Sequence, residues 1–253
     1  MEGTMSEYLL GEGRLELEME IEALIERAGI ERPPIHPRRV ARRLGITLHA
    51  RKELAARGVY LRRGEAEFIY FRRDDRRERE HFAIAREIVQ RTLFGEVPQQ
   101  RRPPHADRLS AQGAMMLLLP RNFFEPHAEA LDWDLLRLKK IYTTASHEVI
   151  ARRMTHFRPC IVRIYDNGKR SASLWPPSLR RSATFEGVEG ELLSRIVASQ
   201  APASVSFTFD QKTCSFPARM DGWPIFEREE QTGMIWERVI LVTHLGMAGS
   251  SFV

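Results

Sequence analysis

A chain of 253 residues with 43% hydrophobic content can bury a sizeable core, and its length predicts two or three compact units. Lys and Arg number 39 against 34 Asp and Glu, a net charge of +5 that favours acidic or nucleic-acid partners without requiring one. Cys160 and Cys214 stand far apart and outside any CxxC spacing, which excludes a disulfide scaffold and a cysteine-rich zinc site, while acidic residues in MEGTMSEYLLGEGRLELEMEI and the lack of any apolar run of about 18 residues predict a soluble, cytoplasmic protein with no membrane partner.

From Leu15 to Ala28 the apolar residues Leu17, Ile21, Leu24 and Ile25 recur at helical spacing, and Gly29 is the expected stop. After the turn PPIHP, the run RRVARRLGITLHA predicts a short helix closed by Gly45 and a strand from Ile46 to His49. GVYLRRGEAEFIYFRR carries two β-prone runs around Arg63-Gly64, a hairpin pattern. Helices are expected from about Arg76 to Leu93 and from about Ala106 to Leu119, the second ended by Pro120.

WDLLRLKKIYTTASHEVIARRMTHF, from Trp133 to Phe157, predicts two helices around the polar turn TTAS, with Ser146 able to cap the second; two short helices about a tight turn are the local pattern of a helix-turn-helix. Lys139, Lys140, Arg152 and Arg153 lie on these helices as candidate phosphate contacts, although such residues also decorate any exposed helix pair. Beyond Pro159 the pattern turns to strands: CIVRIYD and SASLWPP around Asn167-Gly168, then SVSFTFD, CSFPARM and ERVILVTHL, with GELLSRIVASQ as the one clear helix. Pro176, Pro177 and Gly187 are expected in loops. The fold class is α+β.

Within HFAIAREIVQ, the five residues Arg86, Glu87, Ile88, Val89 and Gln90 have the outline of an HExxH zinc-peptidase motif with both histidines replaced. In that motif two histidines four residues apart bind the metal and the adjacent Glu activates its water. Glu87 keeps the position of the general base. Arg86 has no lone pair to give a metal, and Gln90 offers an amide oxygen in place of an imidazole.

On HPRRVARRLGITL, AEFIYFRRDDRREREHFAIARE and ADRLSAQGAMMLLLPRNFF, the chain resembles the ImmA/IrrE family of HExxH zinc metallopeptidase-like proteins. The resemblance implies a zincin-like domain over 1–130, a helix-turn-helix-like segment over 131–158 and a GAF-like α+β domain over 159–253, the last resting mainly on the order of elements around SVSFTFD. It also places Asp107 at the family's acidic third metal-ligand position, counting back from Pro120. So Arg86, Gln90 and Asp107 mark a degenerate metal site and Glu87 a vestigial base. No cofactor is expected, zinc being required only if the site works as a peptidase after all.

Arg86 and Asp107 both match ligand positions, so a guanidinium is expected to bridge carboxylates across the two helices in place of a metal, unless Arg86 simply faces solvent. Three functions follow: an inactive regulator that binds a partner such as a helix-turn-helix repressor, as the resemblance implies; a metallopeptidase that cleaves such a repressor; or a DNA-binding regulator that relies on the 133–157 segment and the basic balance. His105 and Asp107 could form a metal pair but more simply belong to a loop and a helix start. Met115 and Met116 are expected in the core, and Trp175 and Trp223 either in the core or lining a ligand pocket.

Overall fold

The structure, a computed structural model, describes residues 12–74, 76–95, 97, 101, 103–176, 186–211, 214–228 and 235–246. The chain is α+β and divides into two units, 1–146 and 147–253, a boundary that falls between the two helices of the 131–158 segment.

In the first unit, α1 (Glu12–Arg27) buries Leu17, Ile21, Leu24 and Ile25 along the predicted stripe, and Gly29 follows it at φ +57°, a conformation that costs glycine little. Helix α2 (Pro37–Arg43) opens on a proline, whose missing N–H has no acceptor to lose in a first turn, and buries Val40 and Ala41. Strands β1 (Ile46–Arg51), β2 (Gly58–Arg63) and β3 (Ala66–Arg72) form a sheet of order β1-β3-β2. β2 and β3 are the predicted hairpin, while β1 runs parallel to β3.

Helix α3 (Arg77–Phe94) lies over the face of this sheet that carries the buried Ile69 and Phe71, presenting Ala83, Ile84, Ile88 and Val89 to the core. Helix α4 (Ala106–Leu118) packs along α3 at close range: a Cβ on Gly113 would stand 2.5 Å from Val89 Cγ1, so only glycine permits the approach. Met115 and Met116 are buried as expected. An additional helix, α5 (Arg121–Ala130), follows, where the interior Pro126 argues against one by removing an i→i−4 hydrogen bond. Burial of Phe124 and Ala128 offsets that loss, the Phe124 ring lying 5.4 Å from that of Tyr142. Helix α6 (Leu135–Ile141) is capped by Asp134, whose carboxylate accepts the Arg137 N–H at 2.8 Å.

The second unit begins with α7 (His147–Met154). Strands β4 (Cys160–Asp166), β5 (Lys169–Leu174), β6 (Ala203–Gln211), β7 (Cys214–Arg228) and β8 (Ile235–Leu245) form an antiparallel sheet of order β5-β4-β8-β7-β6. Helix α8 (Glu186–Ser199) covers the face bearing Ile161, Met220 and Leu241 with Leu192 and Ile196. Gly187, expected in a loop, lies in the first turn of α8, where N–H groups have no intrahelical acceptor and poor helix propensity matters least; Pro177 lies outside the described residues. β7 runs well past the predicted CSFPARM despite two prolines. Its pairing with β6 stops at Gly222 and its pairing with β8 starts at Ala218, so Pro224 has a partner in β8 only, and Pro217 is in register with Thr208 of β6 while its carbonyl accepts the Gly246 N–H just past β8, which asks no N–H of the proline.

Candidate functional site

One turn of α3 places Arg86 and Gln90 on one line of the helix surface and Glu87 with Arg91 on the adjacent line, each pair four residues apart. Along the first line, Arg86 Nη2 donates to Asp107 Oδ1 at 2.9 Å, joining α3 to the first turn of α4. The pair is open to water, with 35% of the Arg86 side chain and 78% of Asp107 exposed, so it contributes under about 1 kcal/mol to stability. Gln90 is buried.

Glu87 faces the sheet. Its side chain is buried, and Oε2 accepts the backbone N–H of Tyr60 from the edge strand β2 at 3.0 Å. A Cβ on Gly58 would lie 2.8 Å from Glu87 Cγ, so glycine there lets the carboxylate reach the strand. One helical turn on, Arg91 forms a two-pronged ion pair with Glu67 of β3 at 2.9 and 2.8 Å, and the Tyr60 hydroxyl donates to the same carboxylate at 2.5 Å. The Arg91 hydrogen bonds hold Glu67 below the usual carboxylate range against the opposing effect of burial. Burial, then the hydrogen bond to Glu67, pushes the Tyr60 phenol up. Tyr60, Glu67 and Arg91 were not singled out in the sequence; the i, i+4 spacing of Glu87 and Arg91 beside a lone acid in the otherwise apolar EFIYF was the available signal.

These residues do not fit zinc. Arg86 offers no lone pair, Glu87 is engaged by a backbone amide, and among the described residues no three His, Cys, Asp or Glu side chains lie together as a metal cluster. His105 and Asp107 flank the start of α4 as a loop end and a first-turn acid. His81, on the first turns of α3, lies edge-on to His36 with ring centroids 6.2 Å apart, and burial lowers its pKa.

Of the four candidate phosphate contacts, two are committed to the interior. Lys139 is mostly buried and donates to Glu78 at 2.7 Å and to the carbonyls of Thr143 and Ala145 at 3.0 and 2.7 Å. Arg153 is fully buried, with Nη1 2.8 Å from His156 Nδ1 and the guanidinium 4.7 Å from the centre of the Phe157 ring. A buried guanidinium meets no phosphate, which corrects its assignment as a contact. Arg152 pairs with Glu148 at 2.9 Å, and Lys140 is exposed.

In the second unit the two tryptophans do not share a pocket. Trp175 packs against the cluster under α8, with the Arg163 guanidinium 5.3 Å from its ring centre. Trp223 is buried one residue out of phase with Met220 and Gly222, which puts it on the opposite face. Arg163 is paired with Glu189 of α8, which also accepts from the Tyr165 hydroxyl. On the Trp223 face, His244 is fully buried with Nε2 3.3 Å from Asp221 Oδ2, and Asp221 accepts a hydrogen bond from Arg219 at 2.9 Å. Burial lowers the His244 pKa despite Asp221; burial also raises Asp221, but the contacts with His244 and Arg219 outweigh it and leave that carboxyl low.

No family model and no curated protein matches the sequence. Among solved structures the chain is similar to a Mycobacterium tuberculosis transcriptional regulator, with a TM-score of 0.64 at 14% sequence identity over 91% of this chain and 76% of that one. Among the described residues no helix is long and apolar enough to cross a membrane.

Proposed function

We propose that this chain is a catalytically inactive, ImmA/IrrE-like regulatory protein that acts by binding a protein partner, a helix-turn-helix repressor being the class the resemblance implies. The observation that carries the reading is the 2.9 Å pair of Arg86 with Asp107, because it joins two positions at which the resembled family holds its metal. The guanidinium links the two helices there through one exposed ion pair with a single carboxylate, without the metal's capacity to polarise a carbonyl or acidify water. Glu87, held by Tyr60 N–H in a buried setting, serves the fold in the place of a general base. Likeness in fold to a transcriptional regulator supports a place in transcription control. Such a protein works in the cytoplasm, beside its repressor.

The test is to mix the purified chain with a helix-turn-helix repressor from the same source, with added Zn²⁺ or with a chelator, and to follow association by surface plasmon resonance and integrity by intact mass. A saturable complex that leaves the repressor whole in both conditions is the expected result. Cleavage that the chelator abolishes would establish the peptidase reading instead, and salt-sensitive, sequence-dependent retention of duplex DNA without a repressor complex would establish the DNA-binding one.

A further inference from the structure

Strand register determines which side chains share the outer face of the three-stranded sheet. His49 of β1 is directly opposite Tyr70 of β3, and Arg51 is opposite Arg72; across the hairpin Leu61 is opposite Phe68, and Arg63 opposite Ala66. All of these lie on the side away from α3, since Ile69 and Phe71 face the helix. This outer face carries three aromatic rings whose centroids lie within 6.5 Å of one another: His49 is stacked 5.1 Å from Tyr70 and 5.8 Å from Phe68, at interplanar angles of 23° and 28°, and Phe68 and Tyr70 are 6.5 Å apart. The Arg51 guanidinium sits 5.5 Å from the centre of the Tyr70 ring. All three rings are partly exposed, Leu61 beside them is 51% exposed, and Arg51 and Arg63 are exposed. No residue of the three strands on this face is acidic.

We propose that this face is a stacking platform for single-stranded nucleic acid, with Phe68, Tyr70 and His49 receiving bases and Arg51, Arg63 and Arg72 receiving phosphates. Rings set among unopposed arginines on an open sheet match the two chemical halves of such a strand: flat apolar bases and a regular line of negative charge. A peptide strand would instead seek an edge of the sheet, at β1 or β2, and would gain little from stacked rings on the face. A duplex would present phosphates but keep its bases stacked on each other. Apart from the stacking rings and the arginines that take phosphates, the face offers a sugar hydroxyl only the Thr47 side chain, so the platform reads bases and phosphates and is indifferent to ribose or deoxyribose.

The experiment uses the full chain and fluorescence anisotropy with 15-nucleotide oligo(dU), oligo(rU) and a duplex of the same length, over a salt series. The two single strands are expected to bind alike and more tightly than the duplex, with a slope of log affinity against log salt of about −2 for three phosphate contacts. Tyr70→Ala is expected to weaken single-strand binding roughly tenfold with the slope unchanged, and Tyr70→Phe, which keeps the ring, to restore it. Arg51→Ala with Arg63→Ala, both exposed and tolerant of change, should reduce the slope by about 1.4 and carries the test if Tyr70→Ala fails to fold. Equal binding of duplex and single strand, wild-type binding by folded Tyr70→Ala, a tenfold preference for one sugar, or displacement of the oligonucleotide by poly-glutamate as effective as by unlabelled strand would each overturn the proposal.

Discussion

Glu87→Ala separates a structural carboxylate from a catalytic one. The side chain is 3% exposed and its Oε2 accepts the Tyr60 N–H at 3.0 Å, so truncation leaves a backbone donor of the edge strand β2 facing a small void beside Gly58. An orphaned buried donor costs about 1–3 kcal/mol. For a protein of this size each kcal/mol lowers the melting temperature by about 2–4 °C, so a loss of about 2 kcal/mol corresponds to about 4–8 °C. Glu87→Gln keeps an oxygen able to accept from Tyr60 and is expected to lose less than half of that. Circular dichroism melts give the first readout, and hydrogen exchange at the Tyr60 amide gives the second, with protection reduced in Glu87→Ala and largely retained in Glu87→Gln. A Glu87→Ala protein that melts within a degree of wild type, with Tyr60 equally protected, would refute the reasoning, because the carboxylate would then be dispensable to the fold and kept for some other purpose.

Arg86→His alone is expected to bind no stoichiometric zinc by elemental analysis, since Gln90 still lacks an imidazole; one zinc per chain in that variant would defeat the account of the Arg86–Asp107 pair. Lys139→Ala takes the donor from the part-buried Glu78 carboxylate and Ala145 carbonyl, so a loss of about 1–3 kcal/mol in urea unfolding is expected, with no effect on nucleic-acid salt dependence. Burial lowers the pKa of His81 and His244, so the unfolded chain takes up protons that the folded chain refuses: their contribution is intact above the ordinary histidine value of 6.5 and is lost as pH falls below it. Melting temperature should therefore drop between pH 7 and 5, and His244→Gln should flatten that drop. Burial pushes the Cys160 thiol up to about 12, so in a Cys214→Ser background iodoacetamide at pH 8 should label Cys160 only on unfolding; rapid labelling of the native protein would contradict its placement.

The regular elements were readable from local pattern because their causes are local. The stripe of Leu17, Ile21, Leu24 and Ile25, the Arg63-Gly64 turn and the stop at Gly29 each depend on residues within a few positions. The strand containing Pro217 and Pro224 and the helix containing Pro126 exceeded that pattern, because the neighbours that tolerate those prolines come from distant strands or from Tyr142. Trp175 and Trp223 were expected to have the chance of a common pocket; alternation along the strands separates them by a whole sheet.

Residue type alone excluded Arg86 as a metal ligand, since a guanidinium has no lone pair in any fold. Everything that depends on what a side chain meets had to wait for the tertiary arrangement. Arg86 finds Asp107 because Gly113 lets α4 close on α3, Glu87 finds Tyr60 because Gly58 leaves it room, and Lys139 and Arg153, written in the chain like surface charges, are drawn inward by Glu78 and by Phe157 with His156. Periodicity assigns a residue to a face of its own helix or strand, whereas the partner of that face is set by packing between segments tens of residues apart.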